Sequence, residues 1–123
     1  YNLASARSGV PIAAFDSDAL TGDLTLRFAN NGESFLGIGM EKQVVLQKNQ
    51  VIMTDEKQIV AIYPYRDSDT TKVTAETRNI RIITCGVPGI GRELVSGAFD
   101  LCAKYLEKYT GGMSKGAEIF PKK

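Results

Sequence analysis

The chain has 123 residues, of which 43% are hydrophobic and 24% are charged, with 15 basic and 14 acidic side chains. This length and composition indicate one folded domain and exclude a disordered chain and a coiled coil, and the net charge of +1 excludes a polycation that coats nucleic acid. The chain has no His, which excludes a Ser-His or Cys-His catalytic pair and a His metal site within it.

The first half of the chain predicts one short helix followed by short strands. Residues 2–8 are good helix formers that precede Gly9, so they predict the last turns of a helix. A helix that ends so near the start, in a chain that opens without Met, leads us to expect an upstream segment before Tyr1. Residues 23–29 alternate apolar and polar side chains, which is typical of a half-buried strand. Further strands are expected over the apolar segments 10–15, 34–39, 43–46, 50–54 and 58–63.

The second half predicts a polar loop, one more strand and a long helix. Residues 64–79 are polar and charged, and residues 80–85 are an apolar strand. Residues 92–109 carry apolar side chains at helical spacing, with Leu94, Ala98, Leu101, Cys102 and Tyr105 on the face expected to be buried against a sheet. The predicted class is α+β: one domain over 1–123, with a mixed or antiparallel sheet core and a long C-terminal helix.

The two cysteines and the hydropathy of the chain predict the cellular compartment of the protein. Cys85 and Cys102 both lie among apolar residues and form no CxxC motif, so we expect buried thiols kept in a reducing compartment. No apolar stretch approaches the length of a membrane span. We therefore expect a cytoplasmic protein without membrane contact, bound metal or cofactor.

Three polar or Gly-rich segments are candidates for chemistry. The segment GVPGIG at 86–91 lacks the spacing of a phosphate-binding loop, and a tight connection between strand and helix is favoured. The acids at 16–18 favour a turn over a cation site. The polar run at 63–80 fits either a loop held by its own hydrogen bonds or a binding site. In a site, Asp69 would hold a water or an ammonium group, and Arg66 or Lys72 would hold a phosphate or carboxylate.

Several motifs occur together in a fixed order. Residues 9–35 contain Gly-x-Pro, Ala-Phe-Asp-x-Asp, Gly-Asp and an alternating strand with an Arg. Residues 53–80 contain an apolar strand, then Arg-x-x-Asp-x-Thr-Lys and Thr-x-Glu-Thr-x-Asn. A long helix closed by Gly-Gly follows. In this order the motifs resemble the B3/B4 domain of the phenylalanyl-tRNA synthetase beta subunit, and resemble its stand-alone relatives more closely.

The resemblance implies both a fold and a site. It implies a three-layer fold with a β-sandwich and flanking helices, and an editing site that hydrolyses wrongly attached tyrosine from tRNA. The acidic residue implied for that pocket falls on Asp69, which we expect to be catalytic. The partner would be tRNA or aminoacyl-tRNA, and DNA is not expected. Substrate-binding roles are expected for Arg66, Thr71, Lys72, Thr74, Ala13 and Asp16.

The sequence leaves three functions open, and it leaves the oligomeric state open. Ala13 stands where the synthetase domain commonly has a His that lines the editing site. The polar run favours an editing deacylase, which would be a domain and not a complete synthetase. The Ala13 departure favours a non-catalytic module that binds tRNA or another ligand on the same fold. A protein-interaction domain is the third alternative.

Overall fold

The structure is a computed structural model that describes residues 1–122. These residues form two compact units, one from Ala14–Arg81 and the other from Tyr1–Ala13 together with the chain from Ile82 onward. Short strands occupy the middle of the chain, and a long helix follows them. The predicted α+β class with its long C-terminal helix is therefore confirmed.

Two helices contact each other in the unit that contains Tyr1. Helix α1 (Asn2–Ser8) and helix α2 (Arg92–Thr110) each end at a glycine in the left-handed region, with φ 73° at Gly9 and 72° at Gly111. Glycine adopts this conformation without the steric cost that a Cβ brings, so the Gly stop signals in the sequence act as predicted. The Arg7 guanidinium donates a hydrogen bond to the Tyr105 hydroxyl at 3.0 Å, which ties the two helices together.

The buried face of α2 differs in part from the prediction. Ala98 and Cys102 are buried and Leu101 and Tyr105 are partly exposed, whereas Leu94 is 46% exposed. Leu94 lies in the first turn of the helix. Among the described residues the main partner of α2 is helix α1 and not the expected sheet. The expected burial of Leu94 is therefore wrong. The expected burial of both cysteines is confirmed.

A four-stranded antiparallel sheet forms the centre of the other unit. Its strands lie in the order β2 (Thr25–Phe28), β5 (Val51–Thr54), β6 (Ile59–Ile62) and β7 (Arg66–Asp67). Strands β3 (Ser34–Phe35) and β4 (Val44–Val45) form a separate antiparallel pair. Strands β1 (Ile12–Asp16) and β8 (Ile80–Thr84) form a two-stranded sheet. The core against the four-stranded sheet consists of Ala29, Phe35, Leu46, Ile52 and Ile62.

The sheet differs from the sequence prediction in strand length and number. The segments predicted as strands at 34–39 and 43–46 each contribute only two residues to a strand. Strand β7 lies in the segment predicted as a loop, because its two residues are charged and carry no strand signal. Two short 3-10 turns, Ser17–Ala19 and Asp69–Thr71, also occur in predicted turns or loops.

Two carboxylates hold the turns that flank strand β2. Arg27 forms two hydrogen bonds to Glu33, at 2.9 and 2.6 Å, and Glu33 also accepts one from the Asn30 N–H at 2.7 Å. The buried Asp55 carboxylate accepts hydrogen bonds at 2.8 Å from the backbone N–H groups of Thr21, Lys57 and Gln58. These contacts fix the chain before and after β2.

None of the helices within residues 1–122 has both the length and the apolar character that a membrane span requires.

Candidate functional site

A short 3-10 turn at Asp69–Thr71 lies at the centre of the polar segment, and the chain holds it from several sides. The Ser68 hydroxyl accepts a hydrogen bond from the Thr70 N–H at 3.3 Å and so caps the turn. The Thr70 hydroxyl donates to the Gln58 side chain at 2.6 Å, and the Asp69 N–H donates to the Leu36 carbonyl at 3.0 Å. The polar run is therefore an ordered element whose hydroxyl groups serve mainly to fix its backbone.

Asp69 and Lys72 form an ion pair on this turn. The Lys72 ammonium donates to the Asp69 carboxylate at 2.6 Å, and the two side chains are 40% and 37% exposed. The distance between the two charged groups is short, but both are accessible to solvent. Either group can therefore exchange its partner for a ligand at a modest cost in free energy. Asp69 was expected to hold a water or an ammonium group, and in the structure it holds the ammonium of Lys72.

Thr71 lies between these two residues and is fully buried. Its hydroxyl is the one buried side-chain polar atom that has no hydrogen-bond partner within residues 1–122. An unpaired buried hydroxyl typically costs about 1–3 kcal/mol. A water molecule or a polar group of a ligand would remove that cost.

Asp16 and Thr74, both expected to bind substrate, take part in one network of turn hydrogen bonds. The Thr77 hydroxyl donates to the Asp16 carboxylate at 2.9 Å and accepts from the Thr74 N–H at 2.9 Å. The second Asp16 oxygen accepts from the Asp18 N–H at 3.0 Å, and the Thr74 hydroxyl accepts from the Glu76 N–H at 3.2 Å. Thr74 and Thr77 therefore hold a local turn with their own hydrogen bonds. Both oxygens of Asp16 already have protein donors.

The network joins the two sequence motifs that are 61 residues apart. An antiparallel bridge pairs Phe15 with Lys72, and the two 3-10 turns contact each other. The Asn79 side chain donates to Asp18 at 3.3 Å. Lys72 therefore lies next to the Phe15–Asp16 end of β1. Thr77 connects Asp16 to the Thr74–Thr77 turn, although the sequence did not single it out as a site residue.

Arg66 and Ala13 lie in different parts of the fold. Arg66 is in β7, where its guanidinium donates to the Ile38 carbonyl at 3.0 Å and lies 5.4 Å from the centre of the Tyr65 ring. Among the described residues it forms no ion pair with Asp67 or Asp69. Ala13 is buried in β1 and belongs to the other compact unit.

Asp67 is a titratable group that the sequence did not single out as a site residue. It pairs in the sheet with Ala61, which is buried, and it is only partly exposed itself. Burial raises the pKa of Asp67 to about 6, because the charged form loses hydration. A carboxyl group with this pKa gains and loses its proton near neutral pH.

The chemistry available on the Asp69–Thr71 turn is that of one carboxylate, one ammonium group and one buried hydroxyl. Such a set can orient a water or an amine and can neutralise a phosphate. Within residues 1–122, no three Cys, Asp or Glu side chains come close enough together to hold a metal ion.

Comparison with known proteins identifies the family. The family model described as the B3/4 domain matches residues 1–111. The phenylalanine–tRNA ligase beta subunit of Mycoplasma genitalium is 30% identical over 86 residues, which are 68% of this chain and 10% of that protein. The beta subunits of Neisseria gonorrhoeae and Synechococcus sp. are each 35% identical, over 58% and 64% of this chain and 9% and 11% of their own lengths. The chain thus spans about a tenth of these relatives. With nearly its whole length matched, the chain belongs to the B3/4 domain family.

Proposed function

We propose that this B3/4 domain binds aminoacyl-tRNA and hydrolyses the ester bond of wrongly charged tRNA. The observation that carries the proposal is the Asp69–Lys72 ion pair beside the buried, unpartnered hydroxyl of Thr71. The similarity to phenylalanine–tRNA ligase beta subunits, together with the resemblance to their editing domain, supplies the substrate class.

The reaction needs few side chains. Water attacks the ester carbonyl carbon, the bond to the ribose oxygen breaks, the amino acid leaves as a carboxylate, and the ribose hydroxyl recovers a proton. Asp69 orients the water or the substrate ammonium, and Lys72 neutralises a phosphate once the substrate separates the pair. A neighbouring hydroxyl of the tRNA ribose can assist the proton transfer, so a chain without His can still support hydrolysis.

A second candidate function is binding without hydrolysis. Two points favour it. The motif resemblance places Ala13 at the position of a His in the related synthetase domain, and both oxygens of Asp16 bond to the protein. A module of this kind would use Lys72 and Arg66 for phosphate contacts and would leave the ester intact.

The test is release of amino acid from tRNA specific for phenylalanine that carries tyrosine, with seryl- and alanyl-tRNA as comparison substrates. Asp69→Ala should lower the turnover by at least about tenfold, since positioning and acid–base roles are commonly worth about 10²–10⁴-fold. Asp69→Asn keeps the shape but not the charge, and it should show a similar loss.

Glu118→Ala is the matched control, because it also breaks an exposed lysine–carboxylate pair, the one to Lys122 at 3.1 Å. It should leave hydrolysis unchanged. Equal loss in Glu118→Ala and Asp69→Ala would contradict the proposed role of Asp69. Binding without release of amino acid from any of the substrates would establish the non-catalytic module instead.

A further inference from the structure

A cavity of about 370 Å³ lies on the four-stranded unit, and neither Asp69 nor Lys72 is among the residues that line it. The chain after β3, strand β4 with the residues after it, and the β6–β7 connection provide its lining. Met40, Leu46 and Ile62 are apolar parts of this lining, and Gln47 and Gln50 are polar parts. This volume is in the range of pockets that hold small organic molecules.

Tyr65 and Arg66 form the aromatic and cationic part of the lining. Tyr65 is 72% exposed, and the Arg66 guanidinium lies 5.4 Å from the centre of its ring. An exposed aromatic ring next to a guanidinium is a surface on which a flat, electron-rich ring can stack.

The position of Arg66 is fixed before any ligand binds. Its guanidinium donates to the Ile38 carbonyl at 3.0 Å, and its aliphatic stem lies against Gly37. A Cβ atom at position 37 would overlap Cδ of Arg66, so the glycine is needed for this close approach. The side chain loses little conformational entropy on binding, which favours affinity.

The polar groups of the cavity suit hydrogen bonding to a neutral ring. The side-chain amide oxygen (Oε1) of Gln50 accepts from the backbone N–H of Gln47 at 2.6 Å, so the orientation of this side-chain amide is set. Gln47 and Gln50 provide amide donors and acceptors of the kind that read base edges. Among the residues that line the cavity none is acidic, and Arg66 is the one cation, so a phosphate group attached to the ring meets no repulsion.

We propose that this cavity binds an unpaired nucleobase of single-stranded RNA, stacked on Tyr65 with its phosphate towards Arg66. The identity of the RNA as the single-stranded end of a tRNA rests on the proposed function. Base binding itself does not rest on it.

The experiment measures binding of adenosine monophosphate, ribose 5-phosphate and a single-stranded RNA tetranucleotide by NMR titration of the whole chain. Adenosine monophosphate and the tetranucleotide should shift the resonances of Tyr65, Gln47 and Gln50, and ribose 5-phosphate should not. Tyr65→Ala should weaken the binding of both base-containing ligands by about fivefold to a hundredfold, since stacking of one base is typically worth that much. Tyr65→Phe should retain the binding.

Tyr109→Ala is the matched control. Tyr109 is 65% exposed, and the Lys108 ammonium lies 5.2 Å from its ring centre, but it does not line the cavity. Removal of Tyr109 should leave binding unchanged. Equal binding of ribose 5-phosphate and adenosine monophosphate, an unchanged affinity in Tyr65→Ala, or an equal loss in Tyr109→Ala would overturn the proposal.

One further variant separates this proposal from the proposed function. Asp69→Ala should bind adenosine monophosphate as the unaltered chain does, whether or not hydrolysis occurs. Base binding without hydrolysis leaves the nucleobase site standing and contradicts only the editing activity. Hydrolysis without base binding contradicts the nucleobase site alone.

Discussion

Asp67 and Asp55 belong to the same compact unit, yet their surroundings change their acidity in opposite directions. Burial opposes ionisation of both carboxyl groups. At Asp55 the hydrogen bonds from the backbone N–H groups of Lys57, Thr21 and Gln58 outweigh burial and lower the pKa. At Asp67 burial has no such opposing hydrogen bonds, and it raises the pKa to about 6.

Replacement of Asp67 by Asn should stabilise the protein in a pH-dependent way. Between pH 3.8, its ordinary pKa, and about pH 6, the folded chain holds a proton that the unfolded chain has released. The contribution of Asp67 to stability therefore falls as the pH rises through this window. The substitution Asp67→Asn should raise the free energy of unfolding by about 1–3 kcal/mol more at pH 8 than at pH 3.5. Urea unfolding of both proteins at the two pH values measures this difference, and equal effects at both pH values would contradict it.

Asp55→Asn should behave in the opposite way. Its pKa is lowered in the folded chain, so its contribution to stability is present above the ordinary pKa of 3.8 and is lost as the pH falls through the lowered value. The substitution should lower the free energy of unfolding at pH 7 by about 1–3 kcal/mol, because a buried acceptor of three N–H groups is weakened. The loss should shrink at pH 3. An unchanged urea midpoint at pH 7 would show that these bonds contribute little.

Helix α2 is the element in which sequence and structure agree best. Its apolar spacing and Gly-Gly stop predict residues 92–109, and the helix spans Arg92–Thr110. Its first turn is less well stabilised, since Gly91 at the N-cap offers no side-chain hydrogen bond to the free N–H groups.

Gly91→Asp should therefore stabilise the helix. The backbone at Gly91 has φ −71°, and a Cβ there would meet nothing within 4 Å, so the substitution introduces no strain. The carboxylate would accept a hydrogen bond from the first turn and interact favourably with the helix dipole, worth about 0.3–1 kcal/mol together. Thermal unfolding measures the gain. Gly91→Ala adds a side chain but no cap, so a gain of equal size in Gly91→Ala would contradict the capping explanation.

The elements that the sequence predicted less well are those set by distant contacts. Strand β7 consists of Arg66 and Asp67, and only its pairing with β6 makes it a strand. The Thr74–Thr77 turn was predictable because its hydrogen bonds are local. The bond from Thr77 to Asp16 was not, since it joins residues 61 positions apart. The motif resemblance named two segments, 9–35 and 53–80, but not the contacts between them.

At the scale of the whole molecule, a net charge of +1 leaves little general attraction for a polyanion. Any affinity for tRNA must then come from a few placed cations. Lys72 is such a cation, because the Asp69 turn holds it beside the buried Thr71.

Lys72→Ala should weaken binding of tRNA and reduce its dependence on salt. Loss of one phosphate contact should lower the slope of log K against log salt concentration by about 0.7–0.9. Lys122→Ala serves as the control, since it removes a lysine from an exposed ion pair of the C-terminal segment. Filter binding at several salt concentrations measures both slopes. Identical slopes for the unaltered chain and Lys72→Ala would show that Lys72 contacts no phosphate.

Strand β2 is an outer strand of the four-stranded sheet, and its Leu26 and Phe28 side chains are 50% and 63% exposed. Outer strands with apolar side chains tend to recruit strands from other molecules, and a charged residue within the strand opposes this. Arg27 lies between the two apolar residues, and Glu33 holds it in place. The ion pair therefore also affects solubility. We expect the first defect of a variant that lacks Arg27 to be aggregation at high protein concentration.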